Sequence, residues 1–221
     1  ISYSIIPNIV NKNHTIGKYY EKGYFIDSIC IPIPGLHNLS NITAAIAASR
    51  MIGVSFNEIK KNISSLKLPK KRFEFRGKLN QRVIYDDYAH HPSEIKATID
   101  LARLFIQDKN NNQKSRLVAI FQPHRFSRVK QFINEFVIEL SKADVVYVTN
   151  IFGAGEENIY NLNSKIITDL IYKNNKNVKY LKNNYELKNK FFELTQKNDF
   201  IINMGAGDCH NLWSILTNKN T

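Results

Sequence analysis

From Tyr85 to Ile95 the chain reads Tyr-Asp-Asp-Tyr-Ala-His-His-Pro-Ser-Glu-Ile, so that Asp86, Asp87, Tyr88, His90 and His91 crowd two carboxylates, a phenol and two imidazoles into six positions. A turn that merely reverses the chain uses Gly, Asn and Ser instead. This density of titratable groups marks a binding or catalytic site. A structural alternative stands beside it: His91 can cap a helix start, and strand geometry sends Asp86 and Asp87 to opposite faces, so at most one of them faces a given ligand. A second set lies in Gln122-Pro123-His124-Arg125-Phe126-Ser127-Arg128. Arg125 and Arg128 are three apart at the start of a helix and share a face. Cations there oppose the helix dipole by roughly 0.3–1 kcal/mol each, which is tolerable if a carboxylate or phosphate sits between them and the free backbone N–H groups. Two solvated arginines are the alternative. Gly153-Ala154-Gly155 and Gly205-Ala206-Gly207 let backbone approach a ligand, or form plain tight turns. Adjacent histidines diverge, and His-x-x-x-His and Cys-x-x-Cys spacings are absent, so no metal site is expected.

These residues need a scaffold that brings them together, and the periodicity supplies one. Residues 24–33 alternate like a strand, and Pro34-Gly35 makes a turn. Asn38 to Met51 carries apolar residues at helical spacing, with Asn38 or Ser40 as cap, and Ser55 with Glu58 forms a capping box for a second helix. Leu68-Pro69-Lys70-Lys71 reads as a connector, which divides the chain into domains 1–68 and 69–221 and offers a hinge. Beyond it, strands at 82–85, 116–121, 144–149, 178–181 and 199–203 alternate with helices at 93–106, 127–140, 163–173, 185–194 and 209–217. That alternation predicts right-handed βαβ units and an α/β, Rossmann-like, doubly wound, mostly parallel sheet. Ligands bind such sheets beyond the carboxyl ends of the strands, where all four motifs fall. The polar loop 107–114 receives no function.

With 43% hydrophobic and 23% charged residues among 221, the composition is that of an ordinary globular protein. The net charge of +12 is spread through Lys/Asn-rich stretches without aromatic interleaving, which argues for solvated surface and against a nucleic-acid partner. Cys30 and Cys209 form no disulfide framework, and neither a signal peptide nor a membrane-length apolar run is present, so a cytoplasmic location without membrane contact is expected. The start at Ile1, without Met and directly in strand-like alternation, suggests a fragment.

Taken in order, Pro34-Gly35-Leu36-His37-Asn38 with Asn41 and Ala44-Ala45, then Lys71-Arg72-Phe73-Glu74, the Asp86–Pro92 motif, Phe121 to Arg128 and Met204-Gly205-Ala206-Gly207-Asp208 resemble the Mur ligase family over roughly residues 24–217. The resemblance implies the end of an α/β, ATP-binding central domain over 1–68 and an amino-acid-binding C-terminal domain over 69–221. It implies ATP-dependent amide-bond formation through an acyl phosphate in peptidoglycan precursor synthesis, with ATP and Mg2+ as cofactors. The Tyr-Ala-His-His-Pro and Gln-Pro-His-Arg motifs are similar to the branch that takes UDP-N-acetylmuramate and L-alanine, and to a related branch that recycles murein tripeptide. By the same resemblance His37, Asn38, Asn41, Arg72 and Asp87 contact ATP, Tyr88, His90, Arg125 and Arg128 face amino acid and acyl group, and His90 is catalytic. Leu36 and Lys71 depart from the family pattern, and the uridine-nucleotide domain, the P-loop and the magnesium ligands are not among these residues, so the chain alone is expected to be inactive. A non-catalytic nucleotide- or nucleic-acid-binding module is the reading from another class.

Overall fold

A computed structural model describes residues 2–107 and 115–218, organised as two units, Ile1–Pro69 and Lys70–Thr221. Most of the Asn-rich loop, residues 108–114, lies outside the described residues.

In the first unit, strands β1 (Tyr3–Val10), β2 (Thr15–Glu21) and β3 (Tyr24–Ile31) form an antiparallel sheet in sequence order. Lys22 and Gly23 join β2 to β3 with φ of 52° and 84°, the backbone that a two-residue hairpin requires. Helices α1 (Leu36–Met51) and α2 (Phe56–Ile63) follow. Tyr19 stacks on Phe56 with ring centroids 4.6 Å apart, and Ile29, Ile31, Leu39, Ile42 and Ile46 complete the core. The Ser55–Glu58 capping box is present. The start of α1 differs from expectation. Neither Asn38 nor Ser40 caps it; the helix begins at Leu36 after Gly35, whose φ of 99° disfavours any side chain, and the Asn38 amide turns inward to donate to the Pro34 carbonyl at 2.7 Å.

The second unit holds a six-stranded sheet in the order β4-β5-β9-β6-β7-β8, from β4 (Glu74–Leu79), β5 (Arg82–Asp87), β6 (Leu117–Phe121), β7 (Val145–Val148), β8 (Val178–Tyr180) and β9 (Phe200–Met204). All neighbours are parallel except β4, which pairs antiparallel with β5 at the edge. Every residue of β6, β7 and β9 is buried, as strands covered on both faces must be. Helices α3 (Pro92–Gln107), α4 (Phe126–Leu140) and α5 (Ser164–Asn174) pack side by side, α3 on α4 and α4 on α5. Helices α6 (Asn184–Leu194) and α7 (Leu212–Thr217) pack together, and their Leu187, Phe191 and Leu212 share one core with Ile84, Val118, Ile120, Val145 and Ile201 of the sheet.

Two elements depart from the sequence pattern. Strand β4 is not signalled by periodicity because Arg76-Gly77-Lys78 is polar and half-exposed and the pairing slips between Phe75 and Gly77, as edge strands allow. The expected helix 209–217 is a 3-10 turn (Asp208–Asn211) followed by the short α7.

The strand registers decide where the loops emerge. Asp87 pairs with Met204, Met204 with Phe121, and Phe121 with Val148, so β5, β9, β6 and β7 all end at one level and their four loops leave the sheet along a single edge.

Candidate functional site

Where β5 ends, the chain is tied down before it turns. Asp87, 6% exposed, accepts from the backbone N–H of Phe73 at 2.7 Å and of Ala89 at 2.8 Å. Burial nevertheless raises its pKa, against the pull of those bonds, of Thr98 and of Arg72. Tyr88 N–H donates to the Lys71 carbonyl at 2.7 Å, so residues 71–73 are fastened alongside 87–89. Asp86 accepts from the Asn203 amide at 2.9 Å and lies 3.3 Å from the Arg76 guanidinium; burial lifts its pKa to about 6. The two aspartates are thus both interior.

Pro92 opens α3, and Glu94 reaches back to accept from the N–H groups of His90 at 3.0 Å and His91 at 3.1 Å, satisfying donors that a helix start leaves unpaired. Burial would raise the Glu94 pKa, but these bonds, His90 and Arg72, at 3.7 Å, hold it below the usual carboxylate range. The His90 ring is oriented by a 2.8 Å contact between Nδ1 and the Tyr88 carbonyl. A carbonyl can only accept, so Nδ1 carries a proton, and in the neutral form of the ring Nε2 is then the unprotonated nitrogen, the arrangement a general base requires.

Beyond β6 the second motif meets the first. The His124 ring lies 5.5 Å from that of His90, stacks on Phe152 at 5.7 Å, and accepts at Nδ1 from the Arg128 guanidinium at 3.1 Å. Burial, then His90, Arg128 and Arg125, lower its pKa, which keeps it neutral. Arg125 precedes α4 with a φ of 68°, a left-handed backbone held by its N–H bond to the Phe152 carbonyl at 2.8 Å. Glu156 supplies the anion at the head of α4: its carboxylate accepts from Ser127 N–H at 3.0 Å and Ser127 Oγ at 2.7 Å and lies 3.9 Å from Arg125, while Arg128 turns to His124. Those Ser127 bonds keep its carboxyl below the usual range.

Contacts therefore run without a break from Arg72, whose guanidinium stands 5.9 Å over the Tyr88 ring, through Tyr88 and His90 (5.3 Å) to His124 and Arg128. Arg72, Tyr88, His90 and Arg128 are brought together; Asp87 lies beneath them with both oxygens engaged by backbone. His37 and Asn41 are exposed four residues apart on α1 in the other unit, and Asn38 is buried beside them. Gly205 and Gly207 are closely packed, whereas Gly155 has open space around it. A Cβ on Gly207 would come within 2.4 Å of Gln122 Oε1 and 2.6 Å of Phe152, and Ala154 and Gly155 make a turn with φ of 51° and 84°. Glu94, His124, Glu156 and His210 enter the site without having been assigned roles from sequence. Glu94 carried a signal, its place three residues after His91 at a helix start; Glu156 carried none, being 29 residues from the serine it meets. Among the described residues no group of three His, Cys, Asp or Glu surrounds a common centre as a metal would require, and no helix is long and apolar enough to cross a membrane.

Residues 71–207 match the Mur ligase, glutamate ligase domain. The whole chain is 78% identical, over 224 aligned positions, to a UDP-N-acetylmuramate--L-alanine ligase of Prochlorococcus marinus subsp. pastoris, of which it covers 47%. A Synechococcus sp. protein of the same name is 39% identical, with 98% of the chain and 46% of that protein aligned. The chain thus spans about half the length of the curated relatives it matches. Its fold is similar to that of the UDP-N-acetylmuramate-alanine ligase of Thermotoga maritima (TM-score 0.75, 22% identical, 97% of this chain and 44% of that one) and of a murein peptide ligase from Psychrobacter arcticus (TM-score 0.69, 22% identical, 99% and 45%).

Proposed function

The chain belongs to the Mur ligase family, and from that premise we propose that it is part of a cytoplasmic ligase that joins L-alanine to UDP-N-acetylmuramate at the expense of ATP, in peptidoglycan precursor synthesis. The observation that carries the reading is 78% identity along the entire chain to a relative of that name. In this reaction the muramyl carboxylate takes the γ-phosphoryl of ATP and releases ADP. The L-alanine amine then attacks the acyl carbon, a proton leaves the nitrogen, and phosphate departs as the amide forms.

On this reading residues 1–68 are the end of the central, ATP-binding domain and 69–221 the amino-acid-binding domain. The geometry supports a division of labour within the latter. His90, its Nδ1 proton committed to the Tyr88 carbonyl, offers Nε2 to take the proton from the attacking amine. Arg125, half-exposed, and Arg128, braced on His124, supply cations for the amino-acid carboxylate and the charged acyl end. Tyr88 forms a wall beside them. The family resemblance alone assigns Arg72 to the nucleotide phosphates, His37, Asn38 and Asn41 to the adenine and Asp87 to the ribose; Asp87 and Asn38 are buried and engaged by backbone. Among the described residues no group of three or more His, Cys, Asp or Glu would by itself hold the magnesium that the family's reaction uses.

Replacing His90 by Asn in the full-length protein should lower kcat for L-alanine ligation by about 10²-fold or more, the contribution of a general base. Acyl phosphate formation, followed by isotope scrambling in ATP without amine, should persist. Undiminished kcat in this variant would overturn the role of His90. Competition between L-alanine and murein tripeptide distinguishes the recycling branch. A steep loss of DNA affinity with salt would instead mark a nucleic-acid binder.

A further inference from the structure

None of the roles proposed for the site uses His210. It stands on the 3-10 turn after β9, and that turn is clamped. Cys209 N–H donates to Gln122 Oε1 at 3.1 Å, the Asn203 amide donates to the Cys209 carbonyl at 2.9 Å, and the Asn184 amide donates to the Asp208 carbonyl at 3.2 Å. The close approach of Gly207 to Gln122 and Phe152 lets the turn lie this near β6. What the clamp delivers is a flat ring. The His210 and Tyr88 rings lie 6° from parallel with centroids 5.7 Å apart. Both His210 nitrogens are buried and neither has a hydrogen-bond partner among the described residues. The ring contact that His210 makes is therefore through its face, on Tyr88.

We propose that His210 is a positioning residue that fixes the Tyr88 ring, and through it the wall of the amino-acid pocket. The proposal rests on the reading of Tyr88 as facing the amino acid. Tyr88 touches His90 edge-on at 5.3 Å, so a ring free to swing would loosen both the pocket wall and the base. Stacking, not hydrogen bonding, carries the effect, and a phenylalanine can supply it.

In the full-length protein, H210A should raise the KM for L-alanine about three- to tenfold, the range an aromatic pair commands, with the KM for ATP unchanged. H210F should restore the parent KM. In the 221-residue chain, H210A should shift the Tyr88 ring proton resonances in NMR spectra and H210F should shift them far less, a readout independent of activity. Tyr88 resonances indifferent to H210A, or H210F as impaired as H210A, would overturn the proposal. A Y88A control separates the two failures. If Y88A leaves the KM for L-alanine unaltered, the reading of Tyr88 falls and with it the catalytic half of this inference; if Y88A raises it and H210A does not, His210 alone is wrongly assigned.

Discussion

At the scale of single residues, Asp86 and His210 act on stability in opposite directions across the same pH range. Asp86 is 1% exposed, and burial raises its pKa to about 6 from the roughly 3.9 of an unfolded chain. Between those values the folded chain holds a proton the unfolded chain has released, so the stabilisation present below about pH 4 is lost as pH rises through 6. His210 is pushed down to about 4, by burial and then by Lys71 and Arg76. It must stay neutral where an unfolded histidine is protonated, so its contribution is present above about pH 6.5 and lost as pH falls toward 4. In the parent the two slopes oppose each other. H210F should expose the Asp86 slope, a stability that falls by roughly 2 kcal/mol from pH 4 to 7, and D86N the reverse slope of roughly 3 kcal/mol, both read from urea unfolding at stepped pH. Profiles parallel to the parent in both variants would show that other groups set the pH dependence. Little of this was legible in the sequence. The strand period placed Asp86 and Asp87 on opposite faces but could not show both enclosed, because what covers them, Phe73, Arg76 and Asn203, arrives from strands and loops distant along the chain.

Among the elements, what the sequence revealed depends on what each one buries. The five parallel strands of the second unit are short apolar runs between amphipathic helices, and that period survives translation into structure because the layers demand it. Strand β4 and the 3-10 turn escaped notice because neither buries a regular stripe: one is a polar edge and the other is shaped by side-chain clamps from β6, β9 and α6. The arginine pair at the head of α4 was visible; the carboxylate of Glu156, which the loop after β7 folds against Ser127 and Arg125, was not. The clamp on the 3-10 turn can be tested as an element. G207A puts a methyl where Gln122 Oε1 and the Phe152 ring already are, at 2.4 Å and 2.6 Å. Since Gln122 cannot leave without breaking its bond to Cys209, and Phe152 is stacked on His124, the substitution should cost about 2 kcal/mol, the usual penalty of overpacking. Urea unfolding of the 221-residue chain measures it, and an unchanged midpoint would mean that the turn yields freely.

For the whole molecule, the distribution of chemistry between the units sets the last expectation. Amide formation through an acyl phosphate needs a γ-phosphoryl group that is gripped, aligned and neutralised, and positioning with electrostatic stabilisation supplies nearly all the catalysis of such transfers. These 221 residues contain no Gly-x-x-x-x-Gly-Lys-Ser/Thr loop, and among the described residues no carboxylate cluster is set to hold a metal. The roles proposed above for His90, Arg125, Arg128, Tyr88 and His210 all belong to the later, amide-forming step. The chain aligns with 47% of its Prochlorococcus relative. Given ATP, UDP-N-acetylmuramate and L-alanine, the 221-residue chain should therefore release phosphate at least about 10³-fold more slowly than a full-length ligase, since loss of phosphoryl positioning and charge neutralisation costs that much or more. Both rates come from one phosphate-release assay. Turnover by the chain alone within tenfold of the full-length rate would place phosphoryl transfer in these two units and undo the assignment of His90 and the arginines to amide formation alone.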